Sequence, residues 1–290
     1  MVNWNFINLF FIIIQSFVMI EHTIGDLLMN RATKTSLILT LILTGAQSFA
    51  ASNASGNIPV NPTQRAKIEE VVHQYLLTKP EVLVEAMQVL QRRQYEEAEK
   101  TVKKTEQNAP QYINALFNQT NDPIAGNPQG NVTVVEFFDY QCPHCVDMAP
   151  IIDAIMKANP NVRIVFKEFP IRGPLSEFAA RAALAANKQG KYYELHHALI
   201  TTKQPLTENG IYTLAKAQGL NVEQLKKDMN DQAINMQLKN NIKLAQDLKL
   251  FGTPAFFIGK SDATSSNTIH YTPGQMNQKQ LQDLIDQAGK

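Results

Sequence analysis

The chain holds two cysteines in 290 residues, and both lie in one motif, Cys142-Pro143-His144-Cys145. A chain that spends cysteine nowhere else builds no disulfide framework, so the pair points to chemistry. The attacking species in disulfide exchange is a thiolate, and a free thiol with a pKa of ~8.5 is mostly protonated at neutral pH. Cys142 falls at the expected first turn of a helix, where unpaired N–H groups and the helix dipole favour negative charge. His144 is expected to bring a positive charge or a donor beside that sulfur. A stabilised thiolate makes the reduced pair favourable, and hence makes the disulfide an oxidant. Pro143 has no N–H to lose and suits the first helical position. Cys145, three residues on, shares the face and can resolve a mixed disulfide. Two other readings stand beside this one. The pair is half of a tetrahedral zinc site, but no further cysteine exists to complete it. A structural disulfide across so short a loop would stabilise little.

The elements that must hold this pair are legible around it. Val132-Thr133-Val134-Val135-Glu136-Phe137-Phe138 is a nearly continuous apolar run. It reads as a strand (131–139) buried on both faces, because a half-exposed strand would alternate. Glu136 inside that run is expected to be buried with a raised pKa, and Lys167 on the neighbouring strand (162–168) is its expected partner. A helix is expected over 142–158, running through Pro150, which would kink it. A helical block over 175–249 is too long for one crossover helix and reads as an inserted subdomain. Strands over 255–259 and 268–272 and a helix over 275–288 follow. His196 and His197 fall in the inserted block and are read as structural, since adjacent helical residues do not share a face.

Glu136-Phe137-Phe138-Asp139-Tyr140-Gln141-Cys142-Pro143-His144-Cys145 resembles the active-site segment of the DsbA family of thiol-disulfide oxidoreductases, within the thioredoxin-like fold. Phe251-Gly252-Thr253-Pro254-Ala255-Phe256-Phe257 resembles that family's cis-proline loop. The resemblance covers roughly 131–290. It implies an α/β, thioredoxin-like fold with an inserted helical subdomain, preceded by a small helical N-terminal region. It also implies roles. Cys142 would be the solvent-facing nucleophile, Cys145 the resolving thiol and Glu136 the carrier of its proton. Pro254 would be cis, holding the Thr253 backbone where an extended client can pair with it. Thr253 resembles the isomerase and reductase branches, whereas Cys-Pro-His-Cys resembles the oxidases. No cofactor is implied. The implied partners are unfolded or misoxidised secreted proteins and a membrane redox partner of the DsbB or DsbD type. The competing reading is an exported copper- or zinc-binding protein, or a surface scaffold, that uses the two thiolates.

Before the motif, Asn61-Pro62 opens a helical region (62–116), with Asn as cap and Pro at the first position. Thr78-Lys79-Pro80-Glu81 reads as a capping-box restart. Ile68, Val71, Val72, Tyr75 and Leu76, then Val82, Leu83, Ala86, Met87 and Leu90, form a helical stripe too large for two helices to bury alone. Com1-like and DsbC/DsbG-like exported oxidoreductases are similar here and imply a homo-oligomer, a dimer being favoured. A turn-rich linker is expected over 117–130. Farther back, Met29-Asn30-Arg31-Ala32-Thr33-Lys34, an apolar core from Ser36 to Leu43 and Ser48-Phe49-Ala50 read as a signal peptide over 29–50, with a flexible 51–61 after it. Residues 1–28 are expected either to precede the true start at Met29 or to act as an uncleaved anchor. Export to the periplasm, with a possible outer-membrane or surface association, suits disulfide chemistry. A net charge of +1 carries no footprint for nucleic acid.

Overall fold

The computed structural model describes residues 61–264 and 266–290. The expected anchor or over-long start (1–28), signal peptide (29–50) and nearly all of the flexible stretch (51–61) lie outside the described residues. The chain divides into two compact units, Met1–Glu70 and Val71–Lys290. Of the first, only the opening of helix α1 (Pro62–Thr78) is described. Asn61 caps it through Gln64 N at 2.8 Å, and the Gln64 side chain returns to Asn61 N at 3.2 Å. The expected second capping box does not form. The Thr78 hydroxyl donates back to Gln74 O at 2.8 Å and so closes α1, leaving α2 (Glu81–Asn108) without a side-chain cap.

The second unit is built on a five-stranded sheet of order β1-β3-β2-β4-β5. Its strands are β1 (Ile124–Gly126), β2 (Val132–Phe138), β3 (Val162–Glu168), β4 (Ala255–Lys260) and β5 (His270–Pro273). β2 and β3 are parallel and the other neighbours antiparallel. The parallel pair is joined by α4 (Pro143–Ala158), which continues through Pro150. Every residue of β2 is buried, as its apolar run requires of a central strand covered on both sides.

Side-chain alternation along β2 splits the interior in two. Val132, Val134 and Phe138 pack with α4, the C-terminal helix α10 (Gln278–Ala288) and the inserted helices. Val135 and Phe137 face the other side, onto Leu116, Phe117, Leu244 and Leu248. Between β3 and β4 the expected block resolves into α5 (Pro174–Asn187), α6 (Tyr192–Thr201), α7 (Glu208–Ala217), α8 (Val222–Asp228) and α9 (Gln232–Asp247).

The segment read as a linker (117–130) is part of this unit. β1 pairs antiparallel with β3, Ile124 opposite Val165. Gly126 ends it at φ +73, where a Cβ would sit 2.6 Å from Val162 O, so glycine is required. The 3-10 turn Ala109–Tyr112 and α3 (Ile113–Phe117) put Ala109, Ile113, Leu116 and Phe117 into the second core. Near the end of α2 the buried Thr105 hydroxyl donates to Leu248 O at 2.9 Å, tying that helix to the same core. Turn residues over 118–130 masked a three-residue strand too short to show periodicity.

Candidate active site

The motif sits where β2 hands over to α4. Cys142 occupies the N-cap with extended backbone (φ −88, ψ 115), and Pro143 takes the first helical position. Both cysteines are free thiols. Contrary to the solvent-facing expectation, Cys142 is 0% exposed. The loop before β4 covers it: Cys142 Sγ donates to Thr253 O at 3.2 Å, and the Thr253–Pro254 peptide is cis. Among the described residues the Thr253 hydroxyl is buried and has no partner within strict hydrogen-bond geometry.

The two thiols are driven apart. Burial pushes Cys142 up, but hydrogen bonds from Thr253, from the Cys145 backbone and thiol and from the His144 N–H outweigh it, and Cys142 lies below the ordinary thiol value. Burial raises Cys145 strongly, with the Glu136 charge adding to it. One sulfur is thus prepared to ionise and attack, while the other holds its proton until a base removes it.

His144 acts otherwise than expected. Its ring is exposed, with Nδ1 at 2.7 Å from Gln275 Oε1, and it is its backbone N–H that hydrogen-bonds the sulfur. The positive group near Cys142 is Arg172, Nη2 at 3.9 Å from Sγ, which sequence reading missed. Asp139 places it. This buried carboxylate accepts from Gln141 N (2.7 Å), Ser176 Oγ (2.7 Å), Ile171 N (2.8 Å) and Arg172 N (2.9 Å), docking the 169–173 turn beside the motif. The visible signal was an Asp two residues before Gln141, at the end of a strand, where Asx turns form. At ~4 Å in a water-like medium a unit charge is worth about 1 kcal/mol. Arg172→Met is therefore expected to move the midpoint of Cys142 alkylation up by about 0.7 pH unit. An unchanged alkylation curve would remove Arg172 from the site.

Glu136 is 4% exposed, and no hydrogen bond to it is found among the described residues. Desolvation, with Cys142 second, raises its pKa to about 8. Lys167 is not its partner. In the parallel register Glu136 lies opposite Phe166, and alternation sends Lys167 to the other face of the sheet. There Lys167 Nζ donates to Asp122 Oδ2 and, at 2.6 Å, to Ala115 O. A second buried carboxyl, Glu168, is also raised to about 8 by burial, and accepts from Tyr140 OH (3.0 Å) and Tyr192 OH (2.8 Å).

Both carboxyls ionise near their ordinary value of 4.5 when unfolded and near 8 when folded. Between those values the unfolded chain binds fewer protons, so stability falls as pH rises, by about 1.4 kcal/mol per pH unit for each group. Urea unfolding is expected to show a midpoint that drops from pH 5 to pH 8. Glu136→Gln should flatten that slope and raise stability at pH 8. A variant as pH-dependent as the parent would show that Glu136 is not held protonated.

His196 and His197, read as structural, lie behind the motif. His196 is buried and meets Tyr140 OH at 3.1 Å through Nδ1, while His197 Nε2 lies 2.9 Å from Asp153 Oδ2. Burial pushes His196 down to about 3, so it is neutral. Among the described residues no group of three or more His, Cys, Asp or Glu side chains is arranged around a metal position.

Comparison with known proteins agrees with this geometry. Residues 133–286 match the DSBA-like thioredoxin domain, and residues 64–97 match the copper resistance protein ScsC N-terminal domain. A thioredoxin-like oxidoreductase structure from Silicibacter pomeroyi is 44% identical, covering 60% of this chain and 96% of its own, with a TM-score of 0.55. Salmonella enterica Typhimurium BcfH is 34% identical over 79% of this chain and 97% of its own, TM-score 0.58. The catalytic domain of Proteus mirabilis ScsC is 26% identical over 64% and 98%, TM-score 0.55. The thiol:disulfide interchange protein DsbA of Bordetella pertussis is 26% identical over 55% of this chain and 76% of its own. The chain also matches Na(+)/H(+) antiporter NhaA proteins, one from Salinispora tropica at 27% identity over 47% of this chain, and spans only 21% of that antiporter's length. The matched domain runs over more than half of the chain and takes in β2, α4 and the cis-proline loop that together enclose the two sulfurs. On that basis the chain belongs to the DSBA-like thioredoxin domain family of thiol-disulfide oxidoreductases, preceded by a segment matching the ScsC N-terminal domain.

Proposed function

We propose that this protein is an exported oxidoreductase that introduces and isomerises disulfides in secreted proteins through Cys142 and Cys145. The observation that carries the reading is the asymmetry of the pair: Cys142 is held below the ordinary thiol value and Cys145 far above it. To introduce a disulfide, a client thiolate attacks Cys142 of the oxidised pair, and Cys145 leaves as a thiolate that takes a proton from Glu136. A second client thiolate then attacks the client sulfur, forms the client disulfide and releases the Cys142 thiolate. To isomerise, the Cys142 thiolate of the reduced pair attacks a client disulfide, and the client sulfur leaves with the bond's electrons. Another client thiolate then displaces Cys142 and forms the new pairing. A mixed disulfide that does not rearrange is resolved by Cys145, which loses its proton to Glu136, attacks the Cys142 sulfur and releases the client thiolate. As an isomerase it would be kept reduced by a membrane partner of the DsbD type, and as an oxidase recharged by one of the DsbB type. Periplasmic localisation, with an outer-membrane or surface association open, fits the oxidising compartment such chemistry needs.

The N-terminal helices support assembly into a homo-oligomer, a dimer being favoured. Val84 and Leu90 are exposed on α2, as is Met87 at 61%, where a lone chain leaves apolar area in water. Two active sites in one assembly favour isomerisation, because a released client half is recaptured at high local concentration. The test combines light scattering with reactivation of scrambled ribonuclease, using the parent and a Val84→Lys/Met87→Lys/Leu90→Lys triple variant. The parent is expected to be oligomeric and to reactivate the substrate. The variant should be monomeric and lose several-fold in reactivation while still oxidising reduced ribonuclease. A parent that binds copper(I) stoichiometrically yet turns over neither substrate would replace this reading with metal sequestration.

A further inference from the structure

We propose that Glu136 exchanges its proton with solvent through the back of the domain, by way of one cavity water and a Tyr193–Asp153–His197 relay, rather than past Cys142 and the loop that covers it. This deepens the oxidoreductase reading and rests on it.

Glu136 and Cys145 line a small cavity with about 10 Å³ of free space. That is the room of a single water. Phe138, Ala149 and Ile152 supply apolar wall, and Tyr193, His196 and His197 of α6 form the far side. A carboxyl this deeply buried that finds no protein donor among the described residues is one for which a water is the natural partner. Tyr193 and His197 also line an open surface groove with Asp153 and Lys157. These two side chains are therefore the wall between the cavity and solvent.

The wall is hydrogen-bonded in series. The Tyr193 hydroxyl donates to Asp153 Oδ1, and Asp153 Oδ2 meets His197 Nε2 at 2.9 Å. The His197 side chain is 42% exposed. When a mixed disulfide is resolved, the Cys145 thiol gives its proton to the Glu136 carboxylate. The thiolate attacks the Cys142 sulfur, forming the Cys142–Cys145 bond as the bond to the client breaks and the client sulfur leaves as a thiolate. The protonated Glu136 passes that proton to the water, and the water passes one to the Tyr193 oxygen. Tyr193 gives its own to Asp153, from which it reaches solvent at His197. One proton enters from Cys145 and one leaves to solvent; Glu136, Tyr193, Asp153 and His197 return to their starting charge, and Cys145 alone has passed from thiol to disulfide. Tyr193 carries the proton without ionising, since burial and Asp153 hold its hydroxyl protonated. His196 takes no part, being neutral and engaged with Tyr140.

The titratable and charged groups facing this route are Glu136 on β2, Glu168 on β3, Tyr140 before the motif, Cys145, Asp153 and Lys157 on α4, and Tyr193, Glu194, His196 and His197 on α6, with Cys142 acting on Glu136 from the helix end. Glu136 titrates near 8, so below that pH it begins each turnover protonated and must empty before it can accept. The relay matters there and is dispensable at high pH.

The test is a single-turnover reaction of the reduced protein with saturating oxidised glutathione, quenched in acid and read by mass spectrometry. Formation of the Cys142 mixed disulfide and its resolution by Cys145 are then seen separately. Tyr193→Phe and Asp153→Asn are each expected to slow resolution about tenfold at pH 6.5, less than loss of the base itself would. Both should match the parent at pH 9, with mixed-disulfide formation unchanged at either pH. Parental resolution at pH 6.5, or a defect of equal size at pH 6.5 and 9, overturns the relay. Glu136→Gln separates the two levels. If it slows resolution at pH 9 while Tyr193→Phe is normal at pH 6.5, the relay alone fails. If Glu136→Gln is itself normal at pH 9, the role of Glu136 as base fails with it.

Discussion

Cys142→Ser is expected to reduce thiol-disulfide exchange to the rate of the uncatalysed thiol buffer, the largest loss any single substitution here should cause. A serine hydroxyl at the same N-cap cannot ionise near neutral pH, so the hydrogen bonds that lower the Cys142 pKa have no anion to act on. Cys145→Ser should behave oppositely. Cys142 would still attack, but nothing could resolve the product, and covalent client complexes should accumulate on non-reducing gels. Because Cys145 holds its proton tightly, a Cys142→Ser chain should also be nearly inert to iodoacetamide at pH 7, although Cys145 is still present. Rapid labelling of that variant would contradict the assignment of nucleophile and resolving thiol.

Lys167→Met is expected to destabilise the fold by about 3–5 kcal/mol, the cost of leaving one member of a buried ion pair without the other. The Lys167 and Asp122 side chains are 1% and 3% exposed, and desolvation drives each toward its neutral form, Asp122 upward and Lys167 downward. Removing Lys167 strands the Asp122 carboxyl and the Ala115 carbonyl, and loosens the segment joining α3 to β1 from the sheet. Asp122→Leu/Lys167→Met, which removes both charges, should recover most of the loss, since an apolar pair of similar volume is often as stable as the ions it replaces. Urea unfolding measures both. A single variant within about 1 kcal/mol of the parent would mean that the pair is not buried in solution.

The two substitutions test different layers of what a sequence carries. The chemistry was legible because it is local. Two cysteines three apart, a proline at the first helical position and an apolar run just before them need only the geometry of one strand and one helix. The carboxyl inside the run was legible too, because a polar residue in a doubly buried strand departs from its surroundings in plain view. The β2-α4-β3 order and the helical block between β3 and β4 followed from period and length. The short strand β1 did not, because three residues carry no period.

Sequence alone thus marked the cysteine pair as the candidate for chemistry and the elements that present it. The tertiary structure decided everything that depends on a face or a distance between remote segments. Alternation across the parallel register turned Lys167 away from Glu136 and toward Asp122. Gln275, 131 residues away, partners the His144 ring, while Asp139 delivered Arg172 to the sulfur. The packing of α6 on α4 set Tyr193 and His197 behind Cys145. No spacing rule anticipates these pairings, because each is set by how separate elements pack once the apolar surface is buried, and side-chain partners then follow from proximity rather than from order along the chain.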